Sequence, residues 1–175
     1  PLEPGAGARV ARFLVETNAP ALLDLVEMRR DDQQRFVLGF AEELFHRCKR
    51  PVHLVVDECD LFAPQTLRKS EHAKHLLDAM EDLVRRGRAK GIGVTLISQR
   101  PALVHKDVLS QARTLIVHQL PGPQDGDAIA AWMRSNAGGG AEVIDSLPSL
   151  DIGEAWLWSP SWLKLLRRVR VRPRT

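Results

Sequence analysis

Cysteine is scarce and tyrosine is missing altogether from the 175 residues. Cys48 and Cys59, the two cysteines present, are too few for a disulfide framework or a four-ligand zinc site. No apolar run approaches the roughly 20 residues that cross a bilayer, and no signal-peptide pattern opens the chain. The expectation is therefore a soluble, cytoplasmic domain with no membrane partner. Compositional bias is also lacking. Apolar residues make up 44% and charged residues 27%, which excludes a disordered, collagenous or low-complexity chain. A chain of this length can bury roughly 70% of the surface its unfolded form exposes, enough for a self-sufficient core.

What is present is unevenly spread. The net charge is +3, yet no acid follows Glu154, while Lys164, Arg167, Arg168, Arg170, Arg172 and Arg174 do. Everything before them carries 19 basic and 22 acidic side chains, so the basic character belongs to one end. Arginine outnumbers lysine 19 to 6, which suits phosphate and carboxylate recognition or reflects a GC-rich genome. All four tryptophans (Trp132, Trp156, Trp158 and Trp162) lie in the last third. Trp156 and Trp158 share one face of a strand, which favours core and interface anchoring over base stacking.

Periodicity orders the chain. Residues 22–28 form a short apolar run after Pro20 and read as a strand. Phe36, Val37, Phe40, Ala41, Leu44 and Phe45 recur at helical spacing, with Asp31 or Asp32 placed to cap the start. Residues 52–57 read as a buried strand whose charge appears only at its end. Ala73, Leu76, Leu77, Met80, Leu83 and Val84 mark a second helix that stops near Gly91. Strands are expected over 92–98 and 114–118, and Pro121-Gly122-Pro123 breaks the chain before a helix carrying Ala128, Ile129, Trp132 and Met133. Gly138-Gly139-Gly140 reads as a flexible turn, and 154–158 with 163–171 as an antiparallel strand pair. Strand–helix alternation predicts an α/β fold with right-handed crossovers and a mostly parallel sheet covered on both faces. Polar residues beyond the strand ends, Asp57-Glu58, Ser98-Gln99-Arg100 and His118-Gln119, should then converge on one crevice.

Val55-Val56-Asp57-Glu58 has the form of a Walker B element: Asp57 accepts from water on a magnesium ion, and Glu58 orients or deprotonates an attacking water. Two solvated acids at an ordinary strand end are the plain alternative. Ser98-Gln99 at the next strand end supplies an amide able to bond a terminal phosphate, or is simply a polar strand end. Arg85-Arg86-Gly87-Arg88 closes the intervening helix, either complementing its dipole or presenting a guanidinium to a phosphate on a neighbouring subunit.

These residues carry a resemblance. The runs Val55-Val56-Asp57-Glu58-Cys59-Asp60-Leu61-Phe62-Ala63-Pro64 and Arg85-Arg86-Gly87-Arg88 contribute, together with residues 91–101, 108–111, 114–118 and 150–156. Together they resemble the HerA/FtsK group of RecA-like motor ATPases, and HerA-type DNA translocases most closely. The resemblance implies a three-layer RecA-like P-loop sandwich that binds ATP and Mg2+. Asp57 would hold the metal through water, Glu58 would be the catalytic carboxylate and Gln99 the phosphate sensor. Arg88 or Arg85 would be the finger acting across a hexameric ring. Double-stranded DNA would be the substrate, with a possible nuclease partner.

Two departures accompany it. Cys59-Asp60 stands where many relatives have Ala-His, and no Gly-x-x-x-x-Gly-Lys-Ser/Thr loop occurs. The expectation is therefore that residues 1–175 form the C-terminal portion of an ATPase domain, incomplete at its N-terminus and inactive alone. A non-catalytic RecA-like scaffold, or a conjugation or secretion ATPase of the same superfamily, would share these residues.

Weaker signals remain. His72 and His75, beside Glu71, have a spacing that can ligate a metal, or are exposed helix histidines. Cys59 is a reactive thiol or a buried inert one. Arg167, Arg168, Arg170 and Arg172 form a phosphate-backbone contact, a solvated edge strand or a subunit interface.

Overall fold

A hydrogen bond between Asn18 N–H and the Leu14 carbonyl closes the first helix, with Asn18 in the left-handed region at φ 54°. The computed structural model describes residues 2–67, 72–136 and 140–172, and divides into two compact units. The first comprises residues 1–99 and 103–108, the second 100–102 and 109–175. Glu71, Gly138-Gly139 and Arg174, singled out above, lie outside the described residues.

In the first unit, α1 (Gly7–Thr17) lies against α2 (Arg30–Arg47). Gly7 permits the contact, since a Cβ there would fall 2.0 Å from the Phe36 carbonyl oxygen. The Phe36 and Phe40 rings stack beneath it at 6.4 Å. Asp31 and Asp32 are not the cap. Arg29 holds that position without a side-chain bond, and the two acids fall inside the first turn, where the helix dipole favours them.

The strand expected over 22–28 does not form. The Val26 N–H donates to Asp24 Oδ1, and the Leu25 carbonyl accepts from Met28 N–H and from the Gln33 amide. Local turn bonding has taken the groups a ladder would use, and Leu22 is left 95% exposed.

Strand β1 (Val52–Val56) pairs in parallel with β2 (Ile92–Leu96), joined through α3 (Ala73–Arg86). Leu76, Met80 and Leu83 of α3 are fully buried, as the stripe predicts. A 3-10 turn, Gly87–Lys90, leads to Gly91 at φ 80°, a conformation glycine adopts without strain. β1 is not the buried strand expected, for Val55 is 57% exposed. An apolar parallel strand is buried when sheet neighbours and covering helices flank it, and among the described residues β2 alone pairs with it. Beyond β2, the Gln65 and His105 amides donate to the Leu103 and Ala63 carbonyls, and α4 (Lys106–Leu109) follows.

The second unit contains β3 (Leu115–Val117), α5 (Pro123–Asn136), α6 (Ala141–Ser146), β4 (Glu154–Ser159) and β5 (Leu165–Arg170). Its sheet is antiparallel in the order β3-β4-β5. Val117, Ile129, Trp132, Met133, Leu147 and Trp158 form the core. Trp132 and Trp158 meet edge to face at 5.1 Å, and Trp156 Nε1 donates to Ser146 Oγ. Both strand tryptophans are therefore packing anchors, while Trp162 is exposed. The terminal antiparallel pair forms as expected. The mostly parallel sheet does not, since parallel pairing among the described residues is confined to β1 and β2.

Candidate functional site

The site begins where β1 runs out. After Val56 the chain turns through Asp57 and Glu58, and Glu58 adopts φ 48°, ψ 45°, the left-handed region that a side chain rarely enters. The Asp57 carboxylate stabilises this turn by accepting the Glu58 N–H at 2.9 Å. Backbone strain of this kind is held by surrounding contacts and concentrates at functional positions.

Those contacts come from the end of β2. The Ile97 N–H donates to the Val56 carbonyl, and the Ile97 carbonyl accepts the Cys59 N–H, each at 2.9 Å. Ser98 Oγ donates to Asp60 Oδ1 at 2.7 Å, and Gln99 Nε2 donates to Glu58 Oε1 at 2.7 Å. The Asp57-Glu58 turn and the Ser98-Gln99 strand end are thus joined within the first unit, while Arg100, His118 and Gln119 of the same expectation belong to the second. The oxygen-rich set of Asp57, Glu58 and Gln99 suits a hard cation such as Mg2+ and a water-bearing polyphosphate.

Cys59 lies beneath the turn with 2% of its surface exposed. Burial, and then the negative charge of Asp60, push its thiol up from 9.0 to about 12. It is a packed thiol, and the reactive alternative does not hold. Gln34 was not singled out by its sequence, yet it is buried and its amide donates to the Leu61 carbonyl, tying α2 to the turn. Its signal was available, because an amide seven positions before Ala41 shares the apolar stripe of α2.

The arginines occupy the other end of the strands. Arg85 pairs with Glu81 at 3.5 Å, and Arg86 pairs with Asp82 at 3.0 Å while lying over the Phe45 ring. Arg88, in the turn before β2, is exposed and has no side-chain partner among the described residues. The five residues of β2, a span of about 16 Å, lie between that edge and the segment that carries Gln99. Arg85 and Arg88 are therefore not brought to the Glu58 turn of their own chain.

His118 and Gln119 belong to the second unit, where His118 Nδ1 bonds the Glu154 carbonyl and Gln119 Nε2 donates to the Pro148 carbonyl. On β5, Arg168 and Arg170 share one face and Arg167 lies on the opposite one, while Arg172 follows the end of the strand. Arg168 pairs with Glu154, and this bond, helped by the Asp151 N–H, holds the Glu154 carboxyl below its ordinary value. His72 stands at the N-cap position of α3 without a side-chain capping bond, and His75 is exposed; among the described residues neither belongs to a cluster able to hold a metal.

Residues 53–160 match the family described as "Helicase HerA-like C-terminal". The chain is 34% identical over 129 residues to the probable DNA double-strand break repair helicase HerA of Methanocaldococcus jannaschii, covering 74% of this chain and 24% of that protein. It is 26% identical over 143 residues to the DNA double-strand break repair helicase HerA of Pyrococcus furiosus, covering 82% of this chain and again 24% of the relative. The chain thus spans about a quarter of the length of these curated relatives. Among solved structures, the genome packaging NTPase B204 of Sulfolobus turreted icosahedral virus 2, in complex with ATP-gammaS, superposes with a TM-score of 0.64 at 13% identity. That match covers 93% of this chain and 72% of the viral one, and it identifies a shared α/β fold.

Proposed function

The chain belongs to the helicase HerA-like C-terminal family, and from that membership we propose that it is the C-terminal portion of an ATP-hydrolysing motor that moves double-stranded DNA. The observation that carries the proposal is the Gln99–Glu58 hydrogen bond at the left-handed Glu58 turn, which joins two strand-end polar groups at one place. A RecA-like layered domain is the fold proposed for the complete motor. Its support is the likeness to a packaging NTPase whose structure was determined with ATP-gammaS. The curated relatives' names, with their double-strand break repair helicases, favour DNA as the polymer moved.

In this reading Asp57 holds Mg2+ through water, and the ion when bound neutralises charge on the phosphates. Glu58 accepts a hydrogen bond from the attacking water and takes its proton. Gln99 holds the Glu58 carboxylate in place and donates toward the terminal phosphate. An arginine, Arg88 before Arg85, reaches the site of the next protomer in a homo-oligomeric ring; Arg88 comes first because Arg85 is already paired with Glu81. Arg168 and Arg170 offer a basic face for the DNA backbone, with Arg167 on the reverse and Arg172 following the end of the strand. Because no glycine-rich phosphate loop is present in these residues, the chain alone is proposed to be inactive.

The test uses the full-length protein. Glu58→Gln keeps the shape of the side chain and removes the base. Turnover should fall by roughly 10²- to 10⁴-fold while ATP stays bound. Undiminished turnover in that variant would remove Glu58 from this role.

A further inference from the structure

We propose that Glu81, His105 and Asp107 form a binding site for one divalent transition-metal ion of the zinc class. The site lies within the first unit and is independent of the nucleotide reading. Glu81 projects from α3, and His105 and Asp107 flank the start of α4. One ligand atom from each residue lies within 4.8 Å of the other two.

The spacing around His105 Nδ1 argues for a cation. That nitrogen is buried and has no hydrogen-bond partner among the described residues. Glu81 Oε1 stands 3.7 Å away and Asp107 Oδ2 3.9 Å away. Both gaps exceed a hydrogen bond, and both fall short of the ~4.5 Å that a water bonded to two such groups would span. An ion with bonds of about 2.1 Å to tetrahedral ligands separates them by about 3.4 Å, so small side-chain shifts complete the site. Three protein ligands would leave a fourth position for water.

The ligands stand on fixed supports. The His105 N–H donates to the Ala63 carbonyl at 2.7 Å, and the Lys106 N–H donates to Gln65 Oε1 at 2.9 Å. Glu81 directs its other oxygen to Arg85, which orients the carboxylate from outside. An imidazole nitrogen with two carboxylates selects zinc and its neighbours over magnesium or calcium, which prefer oxygen alone. Bound there, the ion would clip α3 to the chain around His105.

The experiment is a Zn2+ titration of the chelator-stripped 175-residue protein by calorimetry, with metal content measured after dialysis and Co2+ absorption reporting the geometry. One equivalent should bind, with thermal stabilisation. Replacing a ligand, as in His105→Ala or Glu81→Gln, should weaken binding by at least about 10-fold, while His75→Ala should leave it unchanged. His105→Gln, which keeps the bulk, replaces His105→Ala if the latter unfolds by circular dichroism. The proposal is overturned if no zinc is retained, if the folded His105 variant binds like the parent, if His75→Ala abolishes binding, or if Mg2+ competes on equal terms.

Discussion

The Gln99 amide reaches across 41 positions of sequence to donate a 2.7 Å hydrogen bond to Glu58 Oε1. The carboxylate so held is carried by a residue in a left-handed turn, and the turn is stitched to the β2 end by main-chain bonds. Orientation of Glu58 is thus shared between its own strained backbone and a partner from the neighbouring strand.

Removing that partner should affect turnover more than binding. In the full-length protein, Gln99→Ala should lower ATP turnover by about 10²-fold, the usual cost of one positioned donor. Nucleotide affinity, read by fluorescent-analogue titration, should change little. Equal losses in both would make Gln99 a binding group only.

The Glu58 backbone makes a separate prediction about stability. Glycine enters the left-handed region freely, whereas alanine meets the same penalty as glutamate. In denaturant unfolding of this chain, Glu58→Gly should be more stable than Glu58→Ala by about 1 kcal/mol. Equal midpoints would show that the turn carries no strain.

An arginine acting between protomers can be tested by mixing. Full-length Arg88→Ala and Glu58→Gln proteins should each be nearly inactive. Rings assembled from both should regain part of the activity, because some interfaces then pair an intact Glu58 with an intact Arg88. Failure of every mixture to recover would place Arg88 outside the neighbouring site.

Helix contact at Gly7 leaves no room for a side chain, since the added carbon would meet the Phe36 backbone at 2.0 Å. Gly7→Ala should destabilise the chain by about 1–3 kcal/mol as α1 is pushed from α2. Chemical unfolding gives the value directly.

Cys59 predicts a slope at alkaline pH. Its thiol ordinarily titrates at 9.0 but holds its proton to about 12 when folded. The unfolded chain releases that proton first, so the associated stability is complete below pH 9 and falls between 9 and about 12. Cys59→Ala should flatten the decline, and the absence of tyrosine removes one competing titration from that range. Alkylation at pH 8, followed by peptide mapping, should modify Cys59 only at the rate of unfolding.

Legibility divides along a physical line. Helices α2 and α3 and the five strands of the described residues could be read because an apolar pattern is local to each element. The approach of Glu58 to Gln99 followed from a rule about strand ends. α1 was not read, since Pro4, Gly5 and Gly7 look like loop chemistry and its burial depends on α2. The run at 22–28 misled for the opposite reason, because Asp24 supplies a turn that apolar periodicity does not register. The left-handed Glu58 and the Glu81–His105–Asp107 cluster depend on contacts between distant segments. So does the antiparallel placement of β3 against β4, which strand–helix alternation alone describes as parallel.

One residue, Ile97, gives its amide hydrogen to one side of the Glu58 turn and its carbonyl oxygen to the other. Neither link involves the isoleucine side chain, which is 44% exposed. The tether is consequently indifferent to chemistry at position 97, and nearly any amino acid could stand there without loosening it. Proline is the exception, having no hydrogen to give Val56, and would free the turn while leaving every polar group around it intact.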